Sequence, residues 1–471
     1  MIRFLHAYFP SRTVFLGMSE VVLVTLGFVC AAVARLGAGD AGVMLRNEHG
    51  FLKLGVITVV IVICMYYSDL YDTSILRNRR ELFTRLIPAI GKACILLAIL
   101  YYIYPPLELG RGIFAIGALF VGIILLLWRR LFLAINSQAA LSERVLLFGD
   151  GPLAGPLMRE VESRPELGIR IVSQFVPSVN GVSQANSGPH PTGDSHSAAA
   201  DEELFRAVRI HGVSRIFLAP GDRRGKLPVA SLLTLKCSGL RVQDGRDVYE
   251  AITGKLPIES LHLDWLLFSP GFWVSRRLLI YKRSASVLVS VLGLIVSLPL
   301  LPLVALAIKL TSRGPVFYRQ KRVGRNGNVF ECYKFRTMRA DAEADCGPTW
   351  ALDNDPRITH VGRFIRKTRL DEIPQLWNVL KGDMSLVGPR PERPEFVESL
   401  SREIPHYYLR HTVRPGITGW AQICYRYGSS VEDAKEKLRY DLYYIKNMYP
   451  GLDLLVFLQT IKIILWGRGA R

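Results

Sequence analysis

Two adjacent carboxylates, Asp371 and Glu372, stand in a strongly basic part of the chain. The apolar residues that follow have the spacing of a helix with one buried face: Ile373, Leu376, Trp377 and Leu380. Pro374 is tolerated in a first helical turn and Gly382 favours a helix end, so the carboxylates are predicted at the helix N-terminus. The exposed N–H groups and the macrodipole there favour ionised carboxylates and bound phosphate. Nucleophilic attack on a diphosphate requires such an arrangement.

The composition indicates a membrane protein. Half of the 471 residues are hydrophobic, and the mean hydropathy is positive. Four apolar runs near the N-terminus each approach the ~20 residues that cross a bilayer: Val14–Leu36, Phe51–Tyr71, Leu86–Tyr104 and Ile113–Ile135. Glu20, within the first run, is a candidate intramembrane site or a residue that faces the bundle interior. We expect a four-span helical bundle over residues 1–140.

Basic residues predict the orientation of these spans. Arginines are dense after the second and fourth runs: Arg77, Arg79, Arg80, Arg85, Arg129, Arg130 and Arg144. By the positive-inside rule, the N-terminus and everything after the fourth span are cytoplasmic. The formal net charge of +19 suits an anionic leaflet and phosphorylated substrates. No recognised nucleic-acid-binding motif is present, so no nucleic-acid partner is predicted.

The middle of the chain, residues 141–270, has the alternation of a small α/β domain. A buried strand at Arg144–Phe148 leads into Gly149–Ala154 and a helix-like run, which resembles the opening of a Rossmann unit. Further strands are predicted at Arg170–Phe175, Ser214–Leu218 and Leu240–Gln243. Gln174 lies near the position where an acid would hold a ribose, which favours a structural or regulatory domain. The composition of Pro177–Ala200 predicts a flexible loop.

A fifth hydrophobic run, Ser286–Ile308, is long enough to span but has basic residues on both flanks. Pro299 and Pro302 interrupt it, and each removes a helix hydrogen bond. A helix that enters the membrane, bends at Pro299 and returns keeps both flanks on the cytoplasmic side. We therefore predict a re-entrant helix over 286–308, with a kinked spanning helix as the alternative.

From about Trp273 onward the chain resembles the bacterial sugar transferases, the monotopic polyprenyl-phosphate hexose-1-phosphate transferases. The matching segments follow the proline-broken helix in order: Tyr333–Met338, Asn354–Thr359, Gly362–Glu372, Asn378–Ser385, Val387–Pro391 and Arg414–Trp420. Small members often carry Ser before the helix-breaking proline, where this chain has Leu298. The spans and the Rossmann-like module look like the large form of the family, with an α-rich catalytic domain over 271–471.

This resemblance implies transfer of a hexose 1-phosphate from a UDP-sugar to undecaprenyl phosphate, with release of UMP. It implies that Asp371 is the nucleophile and that Glu372 helps to hold Mg²⁺ or assists the second half-reaction, with both carboxylates as candidate metal ligands. Four basic residues match family positions and suit phosphate oxygens: Lys334, Arg336, Arg366 and Arg390. The expected role is the first membrane step of exopolysaccharide, capsule or O-antigen synthesis, with glucose as the favoured sugar and galactose next.

Two other functions stay open on the sequence alone. One is a membrane-tethered nucleotide-sugar epimerase or oxidoreductase built on the middle domain, although the ribose acid and a clear Tyr-x-x-x-Lys pair are missing there. The other is a non-catalytic scaffold for polysaccharide assembly. The expected partners are the UDP-sugar, undecaprenyl phosphate and membrane lipid, and homo-oligomerisation is left open.

Overall fold

The computed structural model describes residues 2–4, 7–9, 11–47, 49–71, 79–136, 142–176, 194–219, 221, 227–260, 263–339, 342, 355–425, 428 and 430–466. Contacts divide the chain into two units, Tyr8–Asp244 and Gly245–Arg471, apart from the first seven residues. Those residues include the short strands β1 (Ile2–Phe4) and β2 (Ala7–Phe9). The predicted boundary at residue 270 therefore falls inside the second unit. The physical reason is burial of Glu250 against Lys446, which ties the segment after residue 244 to the C-terminal helices.

Apolar helices form the start of the first unit. They are α1 (Ser11–Leu36), α2 (Ala38–Asn47), α3 (Gly50–Tyr67), α4 (Arg79–Ile103) and α5 (Arg111–Asn136). All but α2 are long and apolar enough to cross a membrane, and they contain most of each predicted run. Helices α1 and α5 pack closely, since a Cβ added to Gly117 would overlap the ring of Phe28. The number of segments that cross a bilayer stays a prediction.

A buried ion pair joins the first and last of these helices. Arg129 donates from Nε to Glu20 Oε1 at 2.6 Å and from Nη2 to Oε2 at 3.0 Å. Its Nη1 donates to the carbonyl of Leu70 at 2.8 Å, and both charged side chains are 0% exposed. Arg129 is therefore buried between the helices. The sequence analysis had counted it among the basic residues that follow the fourth apolar run. Glu20 faces the bundle interior, one of its two predicted settings.

A parallel four-stranded sheet completes the first unit, in the order β4-β3-β5-β6. Its strands are β3 (Glu143–Phe148), β4 (Ile169–Phe175), β5 (Arg215–Leu218) and β6 (Arg241–Asp244). Helices α6 (Ala154–Ser163), α7 (Asp194–His211) and α8 (Val229–Cys237) connect them. All predicted strands are present within a residue or two at their ends.

The predicted loop at Pro177–Ala200 is wrong in its last part, because α7 begins at Asp194. Ala198, Ala199 and Ala200 are strong helix formers, so the helix that contains the following acidic residues begins before them. Residues 177–193 lie outside the described residues.

The second unit is rich in helices, as predicted. It contains α9 (Gly245–Thr253), α10 (Leu263–Phe268), α11 (Arg276–Ser297), α12 (Leu300–Thr311), α13 (His360–Lys367), α14 (Gln375–Lys381), α15 (Pro394–Glu403), α16 (Trp420–Cys424), α17 (Val431–Lys446) and α18 (Pro450–Trp466). The antiparallel hairpin of β7 (Phe317–Val323) and β8 (Val329–Phe335) and the parallel pair of β9 (Ser385–Val387) and β10 (Gly416–Thr418) lie among them.

The fifth hydrophobic run is broken where the sequence predicts a break. Helix α11 ends at Ser297 and α12 begins at Leu300, with Pro299 between them. Helix α11 begins well before the predicted run, because Ser275 caps it by accepting the Leu278 amide at 3.2 Å. It is also long and apolar enough to enter a membrane. The re-entrant path stays a prediction.

Candidate active site

The carboxylate pair lies in a 3-10 turn, Leu370–Glu372, ahead of helix α14. Arg369 starts the turn in the left-handed region at φ 58°. Gly382, at φ 98°, ends α14 as predicted. Because α14 has only seven residues and does not include the carboxylates, side-chain cations rather than a helix macrodipole dominate the field at this site.

The inward face of α14 differs from the prediction. Trp377 is 55% exposed, whereas Asn378 and Val379 are buried. Asn378 accepts the Tyr333 amide at 3.0 Å and donates to the Glu331 carbonyl at 2.6 Å. The helix therefore turns a polar residue toward strand β8, since Asn378 satisfies backbone groups that would otherwise be buried without a partner.

Glu372 is the charge-paired member of the pair. Its Oε1 accepts from Lys334 Nζ at 3.2 Å and from Arg390 Nη2 at 2.8 Å, and Arg369 Nη1 lies 3.7 Å from Oε2. Burial alone would raise the pKa of Glu372, but Arg390, Lys334 and Arg369 outweigh it and hold that pKa well below its usual range. Glu372 is therefore a fixed negative charge that positions two predicted phosphate ligands.

Asp371 has a different environment although it is the adjacent residue. Its side chain is buried, and its Oδ1 has no hydrogen-bond partner within the described part of the chain. Burial and the charge of Glu372 raise the pKa of Asp371, while Lys334, Arg366 and Arg369 oppose the rise. Buried polar atoms are usually satisfied, so an open carboxylate oxygen here indicates a reactive or ligand-binding position.

The two remaining predicted phosphate ligands have different settings. Arg366, at the end of α13, donates from Nε to Thr337 Oγ1 at 2.9 Å and acts on the charge of Asp371. Arg336 is buried, and donates to the Arg313 carbonyl at 3.0 Å and to the Ser312 carbonyl at 2.8 Å. The structure thus groups Lys334, Arg366 and Arg390 around the carboxylates. The guanidinium of Arg336 instead secures the chain after α12.

Arg410, which the sequence analysis did not identify, bonds to the backbone of Arg390. Arg410 is buried, lies 2.8 Å from the Asp441 carboxylate, and donates to the Arg390 carbonyl at 3.0 Å. Because Asp441 is remote in the sequence, no local pattern could reveal this pairing. Arg369, by contrast, lies two positions before Asp371, and its charge alone was a usable signal.

The Gly-Pro-Arg-Pro and Arg-Pro-Gly segments pack on each other. Gly388 donates to the Thr418 carbonyl at 2.9 Å, and Gly416 donates to the Pro389 carbonyl at 2.9 Å. A Cβ on either glycine would overlap the backbone of the other. This close approach fixes the chain immediately before Arg390.

The described residues contain no group of three or more His, Cys, Asp or Glu side chains that could enclose a metal. Mg²⁺ is commonly bound by one or two carboxylates together with substrate phosphates. The Asp371 carboxylate fits that requirement, because its Oδ1 has no partner among the described residues. Glu372 fits it less well, since Lys334, Arg369 and Arg390 already face its oxygens. These contacts suit an ion shared between Asp371 and a bound diphosphate.

The glycine turn after β3 is held from within its own domain. Gln174, near the end of β4, donates to the Gly149 carbonyl at 2.9 Å. The side chain near the ribose-binding position of a Rossmann unit thus contacts the turn itself. This contact favours the structural or regulatory interpretation of the domain.

Comparisons with known proteins match two parts of the chain. Residues 277–467 match the bacterial sugar transferase family, and residues 67–220 match a CoA-binding domain family. A UDP-glucose:undecaprenyl-phosphate glucose-1-phosphate transferase of Escherichia coli K12 is 35% identical over 68% of this chain and 67% of its own length. The chain belongs to the bacterial sugar transferase family.

Other relatives are named for other sugars. A UDP-N-acetylgalactosamine-undecaprenyl-phosphate N-acetylgalactosaminephosphotransferase of Aeromonas hydrophila is 45% identical over 48% of this chain, and the match spans about half, 52%, of that protein. An undecaprenyl-phosphate galactose phosphotransferase of Salmonella typhimurium is 40% identical over 40% of this chain and 41% of its own length. The sugars in these names differ, so the similarity does not select one.

Proposed function

We propose that the protein is a phosphoglycosyl transferase that moves a sugar 1-phosphate from a UDP-sugar to undecaprenyl phosphate and releases UMP. The observation that carries the proposal is the contrast within the carboxylate pair. Glu372 is held by cations, whereas the buried Asp371 Oδ1 beside them has no partner in the part of the chain that the structure describes. A diphosphate bound by those cations would present phosphorus to the open carboxylate oxygen. The relatives' names support the same reaction class.

The reaction proceeds in two displacements. Asp371 Oδ1 forms a bond to the sugar-proximal phosphorus, the bond from that phosphorus to the bridging oxygen breaks, and UMP leaves with the bonding electrons. A phosphate oxygen of undecaprenyl phosphate then attacks the same phosphorus. The bond to Asp371 breaks, which regenerates the carboxylate and yields the lipid diphosphate sugar. Two successive displacements divide one difficult transfer into two easier steps.

The basic residues bind and orient the diphosphate. Lys334 and Arg390 both contact Glu372 Oε1, at 3.2 and 2.8 Å, which keeps these two cations beside the carboxylate pair. Arg366 adds a third cation that acts on Asp371. Guanidinium groups can hold two phosphate oxygens at once, so they fix the phosphorus for in-line attack.

Mg²⁺ completes the proposal: the Asp371 carboxylate oxygen that does not attack phosphorus would be its principal protein ligand, with Glu372 as a more remote charge. When bound, the ion would offset diphosphate charge that otherwise repels a carboxylate.

The donor sugar and the cellular setting are finer proposals. UDP-glucose is the favoured donor and UDP-galactose the next, and the name of the A. hydrophila relative adds UDP-N-acetylgalactosamine to the set for testing. We place the catalytic unit on the cytoplasmic side of the bacterial inner membrane, with four spans ahead of it and α11–α12 as a re-entrant helix pair. Basic residues on both flanks of that pair support this path.

The test is UMP release by the purified full-length protein, with each UDP-sugar and with or without undecaprenyl phosphate. Sustained UMP release that needs the lipid, together with formation of a lipid diphosphate sugar, is the expected result. A protein that binds UDP-sugars but releases no UMP with any of them would instead be a scaffold. Nicotinamide released from the denatured protein would favour the oxidoreductase.

A further inference from the structure

A basic cavity lies in the C-terminal unit, beside the first turns of helix α11. It encloses about 610 Å³, its open mouth included. Four of its lining residues are cationic: Lys282, Arg283, Arg325 and Arg414. None of its lining residues among the described part of the chain is acidic, and neither Asp371 nor any cation around it belongs to the lining. The cavity is therefore a different site from the carboxylate pair.

Two of the four cations already have structural partners. Lys282 lies 2.6 Å from the carboxylate of Asp453, so its charge is neutralised. Arg283 donates to the carbonyls of Val379 and Leu380, the latter at 2.8 Å. Those carbonyls are at the C-terminal end of α14, where a cation is favourable. These two residues form the fixed polar wall of the cavity.

The other two cations, Arg325 and Arg414, make no side-chain hydrogen bond or ion pair with any residue that the structure describes. Arg414 is partly buried, and burial together with the charges of Arg283 and Arg325 lowers its pKa. Like charges that converge without a counter-charge destabilise the empty fold. An anion in the cavity would relieve this repulsion.

Six of the other ten lining residues are apolar. Leu279 of α11 lines the cavity, with Met384, Val413 and Met448. Helix α11 is apolar enough to enter a membrane, and Trp273 and Ile280 near its start are 82% and 58% exposed. Exposed aromatic and aliphatic side chains at the basic end of such a helix are typical of a membrane interface. A ligand that combines phosphate with an apolar body fits both kinds of wall.

We propose that this cavity binds the phosphate group of a second ligand, with Arg325 and Arg414 as its ligands. The phosphate belongs to a lipid headgroup or is free in solution, and the two sources share the same chemistry. Arginine suits either, because its planar donors pair with two phosphate oxygens. The proposal does not depend on the proposed transferase activity.

The test is calorimetric titration of the full-length protein, delipidated in detergent, with dioctanoyl phosphatidic acid and separately with inorganic phosphate. The double variant Arg325→Gln/Arg414→Gln should lose about tenfold or more in affinity, since two charge-assisted contacts are removed. The Lys double variant at the same positions should keep most of it. Arg402→Gln, which removes an exposed cation paired at 2.5 Å with Glu398 on α15, serves as the matched control.

Tighter binding of the phosphatidic acid would identify a lipid headgroup, and equal binding would identify free phosphate. Either result supports the site if the Gln double variant binds more weakly while its thermal unfolding midpoint does not fall below that of the parent. Unchanged affinity in that variant, or no binding of either probe by the parent protein, overturns the proposal. Binding should persist in Asp371→Asn, which separates this result from any failure of the proposed transferase function.

Discussion

Two buried carboxylates in this protein have opposite environments. In the N-terminal helices, both oxygens of Glu20 accept from Arg129, whose third donor group bonds to the Leu70 carbonyl. In the C-terminal unit, Asp371 Oδ1 has no partner among the described residues although basic side chains surround it. A satisfied buried charge stabilises one arrangement of helices. An unsatisfied one is available to a ligand, and this difference separates a structural site from a candidate catalytic site.

Asp371→Asn should have the largest effect on activity. An amide cannot attack phosphorus, so turnover should fall by about 10⁴-fold or more, while the unfolding midpoint stays near that of the parent. UMP release in reconstituted membranes measures it. Glu398→Gln, the same kind of change at an exposed ion pair, should leave turnover unchanged. Turnover within a few-fold of the parent in Asp371→Asn would remove the aspartate from the mechanism.

Arg129→Met should have the opposite profile. It leaves Glu20 buried without its partner, so it should lower the free energy of unfolding by about 3–5 kcal/mol. Turnover per folded molecule should be unchanged. The double variant Glu20→Gln/Arg129→Met should recover much of the lost stability, because no unpaired charge remains. Thermal unfolding in detergent gives the comparison, and equal stability of both variants would contradict a satisfied pair.

Truncation should show how much the buried ion pair of Glu250 and Lys446 contributes to stability. Lys446 lies 2.5 Å from Glu250, and both are buried. A fragment starting at residue 271 removes Glu250, so it should be about 3–5 kcal/mol less stable than one starting at residue 245. Glu250→Gln in the longer fragment tests the charge alone. Equal unfolding midpoints for the two fragments would place the domain boundary back at residue 270.

His411 should give the smallest effect, and one that depends on pH. Burial and the charge of Arg410 lower the pKa of His411 from 6.5 to about 4, and its Nε2 has no partner among the described residues. Between those values the unfolded chain binds more protons, so stability rises with pH and is lost as pH falls toward 4. The slope is at most about 1.4 kcal/mol per pH unit. Urea unfolding of His411→Gln across that window should show a smaller slope, and an unchanged slope would assign it to other groups.

Local patterns in the sequence predicted much of this fold. The apolar runs matched helices α1, α3, α4 and α5, the four strands predicted for the middle domain matched β3 to β6, and Pro299 marked the break after α11. Each of these features depends on residues close together in the chain. Hydrophobic period, proline and glycine therefore sufficed for them.

Features that depend on distant residues could not be predicted in this way. The Glu20–Arg129 pair joins positions 109 residues apart. Arg410 donates to the Arg390 carbonyl although the whole of helix α15 lies between them in the sequence. The buried face of α14 was wrong because Asn378 satisfies backbone groups of strand β8. The candidate site residues could be named from their motifs, but the contrast between Asp371 and Glu372 follows only from their contacts.

The most direct test of the central claim is a search for the covalent intermediate. The full-length protein is incubated with a UDP-sugar that supports turnover, without undecaprenyl phosphate, and its peptides are mapped by mass spectrometry. The account predicts a phosphosugar on the peptide that contains Asp371, one UMP released per adduct, and loss of the adduct when the lipid is added. Lipid-dependent turnover without any adduct, or an adduct on another residue, would contradict it.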